Sequence, residues 1–272
     1  MRLSKAVVAA VTALAVTSAV TSPASGASNS LRPPLGSLAG SYTDWPQLGG
    51  TPGHSGLTSD PAISTTTASG LGVDWMTQSL GPALASPVVS YSAALGETLV
   101  YSANEAGEIE AMNLANGQIV WSYQTFHQIV ATPLVVDGAL WVATQIQPKM
   151  IKLNADTGAL DCTLPVQNQL MASPTYGVGP GGQLTIYEGE MDGSAAPQLG
   201  PMLAINAANC ALDFSSFPEP TGVATGPWDP IAYGVDAGGR ALAIMGTSNP
   251  DDSVYAVDAV TGAAVWLSLI HI

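Results

Sequence analysis

Four segments of this chain repeat one pattern: AMNLANGQIVW (residues 111–121), KLNADTGALDC (152–162), AINAANCALDF (204–214) and AVDAVTGAAVW (256–266). In each, a short apolar–polar alternation runs into a polar turn and a second short strand follows. Period-two alternation on both sides of a glycine turn is the mark of a β-hairpin. The turn positions are Gly117, Gly158, Cys210 and Gly262, spaced by 41, 52 and 52 residues. Each unit opens on a proline: Ser86-Pro87, Thr132-Pro133, Ser173-Pro174 and Asp229-Pro230. A further apolar strand, such as residues 98–102 or 139–144, precedes each hairpin.

Four short strands per unit, recurring every 40–50 residues, predict the blades of a β-propeller. A strand pattern this regular, with no helical period, argues against an α/β fold. The expected fold is all-β: about four blades, each a four-stranded antiparallel sheet, over residues 71–266. Residues 73–76 (VDWM) read as an outer strand that lies before the first full blade and closes the last one. The fourth unit already supplies its own outer strand, ending on Trp266, so the ring is expected to be incomplete and the chain a fragment. Residues 267–272 (LSLIHI) match the translation of a transposon-end adapter and are expected to be non-native; the alternative is a genuine apolar tail.

Charge narrows the partners. The chain carries 20 acidic and only 6 basic residues, a formal net charge of −14. Two of the six, Arg2 and Lys5, lie at its start. So acidic a surface repels phosphate backbones, which argues against nucleic acid. Arg2 and Lys5 precede an apolar run over residues 6–20, and Ser25-Gly26-Ala27 offers small residues for cleavage. This is the layout of a signal peptide over residues 1–27, in a run short for a membrane span. A retained anchor is the competing reading. The expected mature protein is exported, secreted or periplasmic, with no membrane anchor. Residues 28–70 are rich in Ser, Thr, Pro and Gly and read as a linker around one anchoring tryptophan, in Asp44-Trp45-Pro46-Gln47-Leu48-Gly49-Gly50.

The pattern A-x-D-x-x-T-G-x-x-x-W resembles the tryptophan-docking motif of the PQQ-repeat propellers, the quinoprotein alcohol dehydrogenase-like family (PQQ is pyrroloquinoline quinone). The DWPQLGG…HSG segment is similar to that family's N-terminal signature. The resemblance covers residues 44–266 and implies that the last residue of one motif stacks on the turn glycine of the next blade. Carried over, Trp75 packs on Gly117, Trp121 on Gly158 and Phe214 on Gly262, while Trp266 has no partner. Between the second and third blades the pair is Cys162 and Cys210, the only cysteines. A disulfide replacing the stacking contact is the inference for an exported protein; two unrelated buried thiols are the alternative.

Chemistry is sparsely marked. No Cys-x-x-Cys, His-Glu-x-x-His, Gly-x-Ser-x-Gly or haem-attachment pattern occurs. His127, in TFHQIV, reads as a loop residue without a local carboxylate to orient it, and His54 sits in the N-terminal segment. Glu188, Glu190 and Asp192 alternate, so they share one face: a solvated acidic edge, or oxygen ligands for Ca²⁺. Trp228-Asp229-Pro230 followed by Gly246-Thr247-Ser248-Asn249 resembles the WD…GTGN segment of the PQQ-dependent alcohol dehydrogenases. That resemblance makes Trp228 the floor under a quinone and Asn249 a Ca²⁺ ligand. The family's adjacent cysteines are absent, Gln167 and Gln169 stand where a carboxylate is wanted, and the family's catalytic Asp would lie beyond Trp266. Two functions are therefore expected: a non-catalytic binding or scaffolding propeller, for a protein or small-molecule ligand, or a PQQ- and Ca²⁺-dependent dehydrogenase of alcohols, sugars or polyols.

Overall fold

The computed structural model describes residues 44–58, 63–191, 200–216, 226–247 and 253–269. The leader, Asp192, Asn249 and residues 270–272 lie outside them.

Four antiparallel sheets follow one another along the chain. Blade 1 comprises β1 (Val88–Ser92), β2 (Glu97–Ala103), β3 (Glu108–Asn113) and β4 (Ile119–Gln124). Blade 2 comprises β5 (Leu134–Val136), β6 (Ala139–Thr144), β7 (Lys149–Asn154) and β8 (Leu160–Pro165). Blade 3 holds β10 (Thr175–Val178), β11 (Leu184–Met191), β12 (Met202–Asn206) and β13 (Leu212–Ser216), with the short β9 (Gln169–Leu170) added beside the far end of β11. Blade 4 comprises β14 (Ala232–Val235), β15 (Ala241–Gly246), β16 (Ser253–Asp258) and β17 (Ala264–Leu269). No α-helix occurs among the described residues, and the sheets do not close into a ring. Strand β17 runs past Trp266, with Leu267 and Ser268 paired to Tyr255 and Val254.

The core lies in the seams between blades. Strand β6, ALWVAT, is buried throughout because its two faces meet different neighbours. Leu140 and Val142 join Leu99, Tyr101 and Ile109 of blade 1, whereas Trp141 and Ala143 join Ile186, Leu203 and Ile205 of blade 3. A third cluster joins Tyr187 and Met202 to Ala243, Met245, Tyr255 and Val257 of blade 4. Buried alternation on both faces explains why the middle strands read as continuous apolar runs.

The four hairpins are superposable in register. Ala111 faces Trp121, Lys152 faces Cys162, Ala204 faces Phe214 and Ala256 faces Trp266, each followed by a bulge. Asn113, Asn154, Asn206 and Asp258 open the turns, their side-chain oxygens accepting from backbone amides two residues on, which is why Asn and Asp recur there. The chain reverses at φ +71° (Gly117), +70° (Gly158), +60° (Cys210) and +72° (Gly262).

These turns carry the seams. A Cβ on Gly117 would come within 2.6 Å of the Trp75 ring, and one on Gly158 within 2.6 Å of Trp121. Each indole also donates its N–H to a carbonyl of the turn below: Trp75 to Leu114 (2.8 Å) and Trp121 to Ala155 (2.9 Å). Phe214 covers Gly262 and has no N–H to give; Ser216 Oγ, two residues on, bonds the Gly262 carbonyl instead (2.6 Å). At the remaining seam Cys162 and Cys210 form a disulfide, with their Cα atoms 6.2 Å apart. With no ring over it, the turn has room for a Cβ. Trp266 sits at the corresponding place in blade 4 and is 41 % exposed, against 8 % for Trp121. Residues 73–76 differ from expectation: they belong to none of the strands, and the Trp75 indole docks on the next turn in the manner of an outer strand.

The N-terminal segment is more than a linker. Trp45 bridges Val89 of β1, and the Asp44 carboxylate accepts the Tyr91 amide. The Pro46 carbonyl accepts Val135 N–H of β5 (2.7 Å), the Gln47 amide oxygen accepts Thr175 Oγ1 of β10, and the Pro52 carbonyl accepts Tyr233 N–H of β14. His54 Nε2 meets the Ile231 carbonyl at 3.0 Å. Residues 44–54 thus tie together the first strand of every blade.

Two outcomes check the seams. Gly158→Ala and Gly138→Ala impose the same left-handed strain, but a Cβ at Gly138 meets nothing within 4 Å. Gly138→Ala should cost about 1 kcal/mol and Gly158→Ala about 2 kcal/mol more, measured by urea unfolding. Removing the disulfide with Cys162→Ala and Cys210→Ala should cost about 4 kcal/mol from the chain entropy of its loop. The pair Cys162→Trp with Cys210→Gly should restore part of that loss, because it rebuilds the indole-on-glycine contact.

Candidate functional site

At one end of the blades each outer strand hands over to the next inner strand, and the irregular loops gather there. The Ser/Thr-Pro steps form a relay across that end. Ser86 N–H donates to Thr132 Oγ1 (3.1 Å), and Thr132 N–H donates to Ser173 Oγ (2.9 Å). The fourth step holds Asp229, whose side chain is exposed.

Trp228 stands beside it, 53 % exposed on the segment between Gly226 and Ile231. Pro227 bridges Thr247 just beyond β15, so Trp228 lies next to the Gly246-Thr247 end of the second motif. Asn249 belongs to the undescribed residues.

The acidic strand departs from the solvated edge expected of it. Strand β11 is paired on both sides, and Glu188 and Glu190 are 0 % and 5 % exposed. Glu190 reaches the loop before β9, where one oxygen accepts Asn168 Nδ2–H (2.7 Å) and Asn168 N–H (3.2 Å). Burial raises the Glu190 carboxyl above its ordinary range, and the Asn168 and Gln167 donors oppose that. Among the described residues neither Glu188 oxygen has a well-formed hydrogen bond. Burial pushes that carboxyl well up, with the Gly189 amide opposing and Glu190 adding to the rise. Gln169, expected near a ligand position, accepts Gln145 Nε2–H at 3.1 Å. His127 lies in the loop after β4, as expected, and His54 is taken up in the N-terminal tie.

The Trp228 segment and the Glu188–Glu190 pair, two separate candidate sites, face apart. A Cβ on Gly189 would collide with the Pro227 ring, so that face of β11 packs on the Pro227-Trp228 segment. Glu188 and Glu190 alternate with Gly189 and therefore face blade 2. Glu190 lines a cleft of ≈ 280 Å³ there, with Val166, Asn168, Leu203, Leu212 and Ser215. Among the described residues no group of three or more His, Cys, Asp or Glu could hold a metal ion. The donors described do not fit a joint quinone–Ca²⁺ site, since Ca²⁺ takes six to eight oxygens and the Trp228 segment packs on the face of β11 opposite the carboxyls.

Glu188 has a measurable signature. A carboxyl whose folded pKa is raised binds its proton more tightly in the native state, so stability is highest below the unfolded pKa and falls as pH rises above it. The native chain should lose stability on going from pH 4.5 towards neutrality through this group. Glu188→Gln should flatten that slope, and Glu188→Met should stabilise the protein at pH 7 by about 1–3 kcal/mol, followed by chemical unfolding across pH.

Comparison with known proteins agrees with this architecture. Residues 67–179 match the family model described as outer membrane protein assembly factor BamB. The quinohemoprotein alcohol dehydrogenase of Comamonas testosteroni superposes with a TM-score of 0.65 at 16% identity, covering 86% of this chain and 42% of that one. A europium-containing methanol dehydrogenase gives a TM-score of 0.65 at 15% identity, over 86% of this chain and 50% of its own. A beta-alanine-activating enzyme of Danio rerio is 29% identical over 82 residues, 28% of this chain and 7% of that protein. The chain spans half or less of the length of these proteins. Over residues 67–179 the chain matches that PQQ-repeat family model, and its repeats, common hairpin register and ring-on-glycine seams give it the β-propeller fold that the quinohemoprotein and methanol dehydrogenases share.

Proposed function

We propose that this chain is the propeller of an exported, non-catalytic binding or scaffolding protein. One observation carries the reading: the Pro227-Trp228 segment packs on the Gly189 face of β11, while the buried Glu188 and Glu190 belong to the opposite face. A quinone seated on Trp228 would have neither carboxylate on its own side of the strand. Burial, moreover, raises the Glu188 carboxyl well above its ordinary range, which disfavours the charged form that a cation would need. The description of the matching family model, an outer membrane assembly factor, supports a binding role. The apolar leader and the disulfide support export, because disulfides persist in oxidising compartments.

The second reading, a PQQ- and Ca²⁺-dependent dehydrogenase, draws on the Pro227–Thr247 bridge, which sets Trp228 beside the Gly246-Thr247 end of the second motif. In that reading Trp228 would stack against the quinone and Asn249 would offer its amide oxygen to the cation. The bound quinone would supply the oxidising power.

The two readings part in one assay. The whole chain, incubated with PQQ and Ca²⁺, should neither retain the quinone on gel filtration nor reduce a dye with ethanol, glucose or glycerol. Dye reduction that disappears in Trp228→Ala would establish the enzyme instead.

A further inference from the structure

The loops at the handover end expose large apolar side chains on a backbone that is tightly fastened. Leu80 and Leu84, before β1, are 74 % and 65 % exposed. Phe126, after β4, is 82 % exposed, and Ile146, between β6 and β7, is 55 % exposed. The loops that carry them are stitched together. Glu105 N–H donates to the Pro82 carbonyl (2.9 Å), and Asn104 Nδ2–H to Ser79 Oγ (2.8 Å). Gln128 Nε2–H reaches the Glu105 carboxylate (3.0 Å), and Gln145 N–H the Gln128 carbonyl (2.8 Å). The apolar tips therefore sit on one connected frame spanning blades 1 and 2.

Phe126 is the telling member. Its φ is +61°, the left-handed region that non-glycine residues avoid. Thr125 fixes it there: its N–H and Oγ1 both bond the Gly107 carbonyl, and Oγ1 also bridges the His127 N–H and carbonyl. Strain is thus spent on holding a phenyl ring out in water, where folding gains nothing from it. Backbone strain that the surroundings over-determine marks sites of function.

Charge selects the occupant. The loops over residues 77–87, 104–107, 125–133 and 145–148 carry Glu105 and no Lys or Arg; Lys149 follows at the start of β7. The whole chain is at −14. An apolar rim around a carboxylate, on an acidic protein, complements a segment that is apolar on one face and basic on the other. An anionic lipid surface would be repelled.

We propose that Leu80, Leu84, Phe126 and Ile146 form a docking surface for a basic amphipathic segment of a partner protein. This rests on the binding reading above and names the surface and the partner's chemistry. The test uses the whole chain and a fluorescent synthetic peptide of alternating Lys and Leu faces. Its controls are a counterpart with Glu for Lys, and vesicles of phosphatidylcholine and phosphatidylglycerol. The basic peptide should bind, more weakly at higher salt, and the acidic one should not. Phe126→Gly should weaken binding about tenfold while leaving the thermal midpoint unchanged or higher, because glycine relieves the strained φ. Ile146→Ser should weaken it similarly. Undiminished affinity in Phe126→Gly, equal binding of the acidic peptide, or preference for vesicles would overturn the proposal. Dye reduction by the PQQ-loaded chain, with peptide binding still lost in Phe126→Gly, would remove the non-catalytic reading and uphold this surface.

Discussion

The blades of this protein are held in order by an aromatic ring resting on a turn that has no room for a Cβ. The turn residue must be left-handed, and the ring must come within van der Waals distance of its backbone. Glycine satisfies both demands at once, which is why it recurs at the same place in three of four units. The indole N–H then bonds a turn carbonyl that the reversal leaves free, so each ring is both packed and polar-satisfied. Where the second and third blades meet, the ring is gone and so is the glycine. Cys210 keeps the left-handed turn, and the disulfide to Cys162 supplies covalently what stacking supplies elsewhere. The two changes belong together, since either alone would leave a clash or a void.

A second set of contacts works from the inner side. Residues 44–54 touch the first strand of each blade largely through backbone carbonyls and amides, while the ring-on-glycine seams act between the hairpins of successive blades. Each blade is thus held at two radii. The two-faced burial of strands such as β6 fills the space between, so no blade owns a core of its own. Stability in such an array comes from interfaces between neighbours rather than from single units.

Much of this was legible because propellers write their framework in repeats. The Asn/Asp that opens each turn, the residue at its reversal and the ring that follows keep a fixed order, so strands, blade count and the cysteine pairing could all be read. What escaped reading depends on contacts without a side-chain signature. The tie made by residues 44–54 runs through the carbonyls of Pro46 and Pro52, to which composition is blind. Residues 73–76 looked like a strand from their alternation, yet a strand needs a neighbour to bond to. Glu188 and Glu190 looked like a wet edge because carboxylates usually are; pairing of β11 on both sides buried them. Phe126 could not be found from its own identity, since its exposure follows from how Thr125 grips the preceding turn.

The proposed binding role sits where the framework relaxes, at the end where the loops gather. There Trp228 and the apolar rim near Glu105 are presented to solvent, while the carboxyls that would serve a cation are turned into a seam. All of this presupposes that the ring-on-glycine contact sets blade geometry. A double-mutant cycle on Trp121 and Gly158 tests that most directly. In the native background Gly158→Ala should cost about 3 kcal/mol; once Trp121→Ala has removed the ring, it should cost only about 1 kcal/mol, the residual backbone strain. Equal costs in the two backgrounds would mean that the ring and the glycine do not act as one unit, and the account of the seams would fail.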